Sequence, residues 1–254
     1  MCGRYAAVRA ADELAAEFDV DVVSEDAADR AASWNVAPTD GARVVLDRPR
    51  LVGSEDARES AADGAGTGVL RELHLARWGL LPAWSSGPGA KGAPMFNARL
   101  ETVADKPAFA KSLVTRRCLV PADGYYEWRK NPEGSGLPAK TPFYIHPADG
   151  SSLAFAGLYA WWRDPTREED DPARWLLSTT IVTQAARDGL EAIHDREPVA
   201  LPHARVDEWL DPAMTDADAA LAILAGPPPE LVWHEVSARV GSVRNDDAGL
   251  IEPV

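Results

Sequence analysis

In Arg117-Cys118-Leu119-Val120-Pro121-Ala122-Asp123-Gly124-Tyr125-Tyr126-Glu127-Trp128, two strand-like runs flank a turn signal. Arg117 to Val120 and Tyr125 to Trp128 are rich in β-branched and aromatic residues, and the Pro, Ala, Asp and Gly between them interrupt the pattern. The same reading extends outward from this passage. Upstream, Arg43 to Leu46 and Leu70 to Trp78 read as strands; downstream, Pro142 to Ile145, Leu153 to Trp161, Trp175 to Val182 and Leu231 to Val236 do so. Helical spacing is confined to short stretches. Ala11 to Phe18 places Leu14 and Phe18 four apart on one face. Asp105 caps a helix running to about Val114, with Pro107 in its first turn. Gln184 to Ile193 resumes helical spacing, and Thr215 with Asp218 resembles a capping box for Asp216 to Leu224. Val20 to Ala32, acidic and alanine-rich, reads as surface helix or loop. Loops are expected near 53–68, 85–93 and 163–172. Many strands with few helices predict an α+β protein on antiparallel or barrel-like sheets, with residues 1–254 as one domain.

Composition narrows the functional classes. The chain has 254 residues, 46% hydrophobic and 26% charged, which suits a globular protein with a real core. It has no apolar run long enough to cross a bilayer, and its first residues lack the apolar region of a secretory signal, so a cytoplasmic protein is expected. Two cysteines, Cys2 and Cys118, argue against a disulfide framework. A net charge of −14 repels polyanions in general, so any nucleic-acid binding requires a local basic cleft. The five histidines show no metal-ligand spacing, and no Walker, G-x-G-x-x-G or G-x-S-x-G element is present. Neither a metal nor a cofactor is expected.

The residues suited to chemistry are few. Removal of Met1 would leave Cys2 with a free α-amine and a thiol on adjacent carbons. Such groups titrate near ~8 and ~8.5, so both are partly reactive at neutral pH. An aldehyde would give a Schiff base with the amine, then a five-membered thiazolidine as sulfur closes the ring. Position alone equally fits an incidental cysteine at a frayed terminus. Asn97 and Arg99 lie in Asn97-Ala98-Arg99-Leu100-Glu101-Thr102; they suit a reacting centre and a phosphate, or a solvated loop with an ion pair. Glu127 sits among aromatics on a buried strand, where a carboxylate is costly unless paired or catalytic. It fits proton transfer, or partnership with a core arginine. His194, in Ile193-His194-Asp195-Arg196, stands at an element boundary, fit for acid–base work or simply satisfied in place. Trp78 and Trp84 bracket Gly79-Leu80-Leu81-Pro82 beside Arg77. Aromatics beside arginines hold single strands, although core packing is the ordinary role of a tryptophan. Cys118 reads as a buried small hydrophobe.

Taken in order, these segments resemble the SOS-response-associated peptidase (SRAP) family, the abasic-site processing proteins. Carrying the resemblance are Met1-Cys2-Gly3-Arg4-Tyr5, Trp34-Asn35-Val36-Ala37-Pro38, Arg77 to Pro82, Asn97 to Thr102, Arg117 to Trp128, Ile193 to Arg196, and Val236-Ser237 through Leu250 to Val254. The resemblance implies a single compact α+β domain around a curved, barrel-like antiparallel sheet with peripheral helices. It implies a monomer that binds single-stranded DNA in the cytoplasm, at the nucleoid or replication fork. Cys2 would crosslink to the aldehyde of a ring-opened abasic site as a thiazolidine. Asn97 would hydrogen-bond around the linkage, Glu127 would assist ring opening and proton transfer, and His194 would act as acid–base in formation and reversal. Arg4, Arg99 and Arg196 would line the DNA groove, with Trp78 and its neighbours as a wedge against a base. Removal of the protein's own N-terminal residue and lyase-type strand cleavage belong to the same resemblance.

Departures from the family pattern fall at Pro107, beside Lys106, where many relatives carry an arginine, and at Glu197, which puts a negative charge next to Arg196. Three readings follow: a covalent abasic-site protein, a thiol peptidase using Cys2 with His194 as base, and a non-enzymatic single-strand binding module.

Overall fold

The structure, a computed structural model, describes residues 2–49, 68–89 and 95–254. Its strands are β1 (Tyr5–Ala7), β2 (Val22–Val23), β3 (Ser33–Val36), β4 (Gly41–Pro49), β5 (Val69–Trp78), β6 (Asn97–Arg99) and β7 (Arg117–Ala122). They continue as β8 (Gly124–Lys130), β9 (Lys140–Pro147), β10 (Leu153–Arg163), β11 (Trp175–Ala185), β12 (Arg196–Pro198), β13 (Ala200–Leu201) and β14 (Leu231–Glu235). Strands β11, β10, β7, β4 and β5 follow one another in a sheet, and a parallel pairing of β5 with β11 closes them into a five-stranded barrel. A second sheet, ordered β14-β9-β8-β1-β3, lies beside it. The expected α+β, barrel-like domain is what the chain forms.

The passage Arg117 to Trp128 joins these two sheets. Only Asp123 separates β7, in the barrel, from β8, in the second sheet. Its backbone N–H donates to the Ala6 carbonyl at 2.8 Å, and its carboxylate accepts from the Val8 N–H at 2.5 Å, fastening the sheet switch to β1. Gly124 is required by close approach, because a Cβ there would lie 2.5 Å from the Tyr144 ring and 2.7 Å from the Ile145 carbonyl oxygen.

Period-two alternation sends the barrel residues into two cores. Val44, Leu46, Cys118, Val120, Phe155 and Ile181 face a core shared with Tyr5, Tyr125 and Ile145 of the second sheet. Val45, Leu73, Leu119, Leu158 and Val182 pack instead against the helical layer, among Phe109, Leu113, Trp209 and Ile223. Arg117 ties that layer down by donating to the carbonyls of Leu113, Trp209, Asp211 and Met214 at 2.6 to 2.9 Å. Trp78 lies at the barrel seam, fully buried, with its ring centroid 5.1 Å from that of Tyr5 and its indole N–H donating to the Phe96 carbonyl at 2.9 Å. Trp78→Ala is therefore expected to cost about 3–5 kcal/mol, measured by urea denaturation.

Several local expectations are corrected. The helix expected over Asp105 to Val114 is only Ala110–Thr115 and has no side-chain cap. Pro107 has no N–H to donate and disfavours helix at Lys106, so the chain turns instead, with the Asp105 and Lys106 N–H groups on the Thr102 carbonyl. Gln184 and Ala185 stay in β11, paired with Glu197 and Arg196, and only Leu190–Ala192 forms a short 3-10 turn. Asp188 at φ 56° and Gly189 at φ 95° exclude a longer helix there. The helix Ala217–Leu224 is capped by Asp216, whose carboxylate accepts from the Ala219 N–H at 2.8 Å, rather than by Thr215. Within Val20 to Ala32 lie the short β2 and a helix at Glu25–Asp29. Of the expected loops, residues 53–67 and 90–93 lie outside the described residues.

Candidate active site

The N-terminal segment runs into β1, which pairs antiparallel with β8 so that Tyr5 faces Tyr125. The Tyr126 N–H donates to the Arg4 carbonyl at 3.0 Å, which continues that register and sets Gly3 opposite Glu127. β6 pairs parallel with β11, with Asn97 opposite Ile181, and this delivers the Asn97 amide to the same place. Its Nδ2 donates to the Cys2 carbonyl at 2.7 Å, while its Oδ1 is buried with no hydrogen-bond partner among the described residues. Of the two readings left open for this segment, the solvated loop does not hold for Asn97: it lies in a strand, and pairing with β11 is what gives it a fixed direction.

Glu127 is buried, and His194 Nε2 lies 3.9 Å from its Oε2. Burial holds the Glu127 carboxyl above the ordinary range, with the nearby His194 pulling the other way. His194 comes from the turn after Leu190–Ala192, just before β12. Its Nδ1 accepts the Arg196 N–H at 3.0 Å, an arrangement that puts the proton of the neutral ring on Nε2, the nitrogen facing Glu127. The Asp195 carboxylate lies 3.0 Å from the same Nδ1. Cys2 is fully buried beside these groups, and burial, followed by the Glu127 charge, pushes its thiol far up. The structure therefore brings Cys2, Asn97, Glu127 and His194 together. A cleft of about 660 Å³ lies beside them, lined by Glu127 and His194 and by Gly3 and Phe96, the chain neighbours of Cys2 and Asn97, and it continues past Trp128 and Lys140.

The other candidates are placed differently. Arg4 donates to the Asn35 side chain and to the Val240 carbonyl, both at 2.8 Å. Asn35 in turn donates to the carbonyls of Val240, Ser242 and Asn245, so the pair clasps the C-terminal segment against β1 and β3. Arg77 donates to the Gly79 carbonyl at 3.1 Å. Arg196 holds Glu101 in a two-pronged pair at 2.6 and 2.9 Å and donates to the Thr183 carbonyl at 2.7 Å. Arg99 is exposed at the end of β6. Trp78 is in the core, because its indole fills the space between Tyr5 and Phe96; with no exposed surface its ring has no face to offer a base. The exposed tryptophan of that segment is Trp84. Cys118 is buried, as read from its neighbours.

Sequence reasoning passed over the basic residues of the cleft, Arg129, Lys130 and Lys140. The available signal was alternation, because Arg129 follows Glu127 by two on the same strand. It also passed over the pairing of Glu197, a buried carboxylate that accepts from Gln184 Nε2 at 2.9 Å and Arg187 Nε at 3.0 Å. These contacts close the base of the loop that carries His194. Glu197→Ala strands the buried Gln184 amide and is expected to cost about 1–3 kcal/mol in chemical denaturation. Among the described residues, no helix is long and apolar enough to cross a membrane.

Residues 1–243 match the family model described as SOS response associated peptidase (SRAP). The chain is 33% identical over 254 residues to the abasic site processing protein YoqW of Bacillus subtilis, covering 99% of each. It is 32% identical over 260 residues to the abasic site processing protein YedK of Escherichia coli, covering all of both. In fold it is similar to a crystal structure of a protein from Bacteroides thetaiotaomicron, with a TM-score of 0.75 at 21% identity over the whole of both chains. With the match spanning nearly the full length, the chain belongs to the SRAP family.

Proposed function

We propose that this protein processes abasic sites in single-stranded DNA by forming a covalent thiazolidine between Cys2 and the ring-opened sugar. The observation that carries the reading is the convergence of the Cys2 backbone, the Asn97 amide and the Glu127–His194 pair at one cleft. Removal of Met1 supplies the α-amine. The amine attacks the C1′ aldehyde, giving a carbinolamine that loses water to form the Schiff base. The thiol then adds to the imine carbon, and its proton passes to the former imine nitrogen, so one water leaves overall. Glu127, whose carboxyl burial holds above the ordinary range, donates to the sugar ring oxygen on opening and to the departing hydroxyl. His194, with its proton on Nε2, relays protons on the same face and protonates the linkage when it reverses. Asn97 holds the Cys2 carbonyl so that the amine keeps one orientation.

Burial opposes formation of the thiolate that a thiol peptidase needs, whereas the amine-first route uses the sulfur as a neutral thiol until the ring closes. The order of attack therefore favours the aldehyde over a peptide carbonyl. The test is intact-mass spectrometry after incubation with single-stranded DNA carrying one abasic site. The expected species is the protein without Met1 plus the DNA, less one water. A spectrum containing only the two separate masses would sink the reading. A non-enzymatic binding module would behave in that way, with equal affinity for intact and abasic strands.

A further inference from the structure

We propose that Arg129, Lys130 and Lys140, on the β8–β9 edge of the cleft, form a phosphate track for the strand that flanks the abasic nucleotide. This assignment rests on the single-stranded DNA reading above and names residues that would hold the substrate on one side of it.

The first argument is where positive charge remains available. The guanidiniums of Arg4, Arg77 and Arg196 each donate to acceptors within the protein, and Arg196 is neutralised by Glu101. By contrast, Arg129, Lys130 and Lys140 line the same cleft as Glu127 and His194, and among the described residues none of them stands in an ion pair. In a chain with 40 acidic and 26 basic residues, three cations outside any ion pair on the adjoining strands β8 and β9 are a local gathering of positive charge.

The second argument is the register. Lys130 lies directly opposite Lys140 in the antiparallel β8–β9 pair, and both are exposed. Like charges facing each other across strands repel, and here no carboxylate offsets the repulsion. A phosphate between the two ammonium groups removes that penalty and gains two charge-assisted contacts. Arg129 is held with its guanidinium carbon 4.8 Å from the centre of the Phe143 ring, which fixes its plane at the inner end of the track.

Glu191 and Asp195 also line the cleft, with Glu191 accepting the Gly189 N–H at 2.9 Å and Asp195 beside His194. These two carboxylates repel a phosphodiester backbone and favour its path along Arg129, Lys130 and Lys140.

The experiment measures binding of intact single-stranded oligothymidine by fluorescence anisotropy over a range of salt concentrations. Each phosphate contact on a single strand contributes about 0.7 to the log–log salt slope, so Lys130→Gln with Lys140→Gln should lower it by about 1.4. Affinity at low salt should fall about tenfold, and so should the DNA concentration dependence of crosslinking shift about tenfold upward. The charge-retaining pair Lys130→Arg with Lys140→Arg should keep the wild-type slope. Both lysines are exposed, so neither variant disturbs the core. An unchanged slope and unchanged half-saturation in the glutamine pair would overturn the track. If wild-type protein crosslinks abasic DNA while the slope is unmoved, only the track falls. If no adduct forms but the slope drops as expected, the track stands and the covalent chemistry falls.

Discussion

Cys2→Ala is expected to abolish the stable adduct with abasic DNA while leaving a linkage that borohydride can trap. Alanine at the second position is small enough for Met1 removal, so the variant keeps an α-amine at the cleft. That amine still condenses with the aldehyde, because Asn97 reaches the backbone carbonyl of residue 2 and not its side chain. What is lost is the sulfur that closes the five-membered ring and converts a hydrolysable imine into a thiazolidine. Parallel denaturing gels with and without reduction read the two steps separately. A stable unreduced band from the alanine variant would place the covalent bond elsewhere in the protein. Cys2→Ser should behave nearly as alanine does, since its hydroxyl is a far weaker nucleophile than a thiol.

The second large effect is expected at Glu127. Glu127→Gln keeps the shape and the hydrogen-bonding capacity but cannot gain or lose a proton, and should slow crosslinking about 100-fold. Stability should move the other way. Burial raises the folded-state pKa of Glu127 above its unfolded value, so ionisation works against folding. The neutral carboxyl's advantage is fully present below the ordinary glutamate pKa, near ~4.3, and is lost as pH rises through the raised folded value. Wild type and variant should therefore unfold at matching urea concentrations in acid. At neutral pH the glutamine variant should be the more stable, because it has no charge to bury. Equal midpoints across the range would mean that His194 fully offsets the burial of the carboxylate.

The strands were legible because β-branched and aromatic runs stand between turn signals, and the edges of β7, β8, β10 and β11 lie close to those read from the residues alone. Glu127 was legible as a charge on a strand whose neighbours are buried. What was hidden lies in long-range partnership. Nothing local in Asn97-Ala98-Arg99 announces a strand; β11, some eighty residues later, makes it one. Gln184 and Ala185 have helical neighbours in sequence but strand partners in space, and pairing with β12 prevails. Trp78 was ambiguous because an indole beside an arginine serves a core or a groove equally well, and only the Phe96 carbonyl decides between them. Arg4 was open in the same way until Asn35 and the C-terminal segment were seen to claim it.

The parallel seam that closes the barrel also sets a timetable for the working protein. It joins residues 77 and 78 to residues 178 and 179, roughly one hundred positions apart, and such distant pairings form late because the intervening chain must first be ordered. The strand that orients Asn97 waits for β11, and His194 follows β11 in the chain. The Asn97 amide, Glu127 and His194 therefore come together only as the barrel shuts, so the candidate site is among the last parts of the molecule to be assembled.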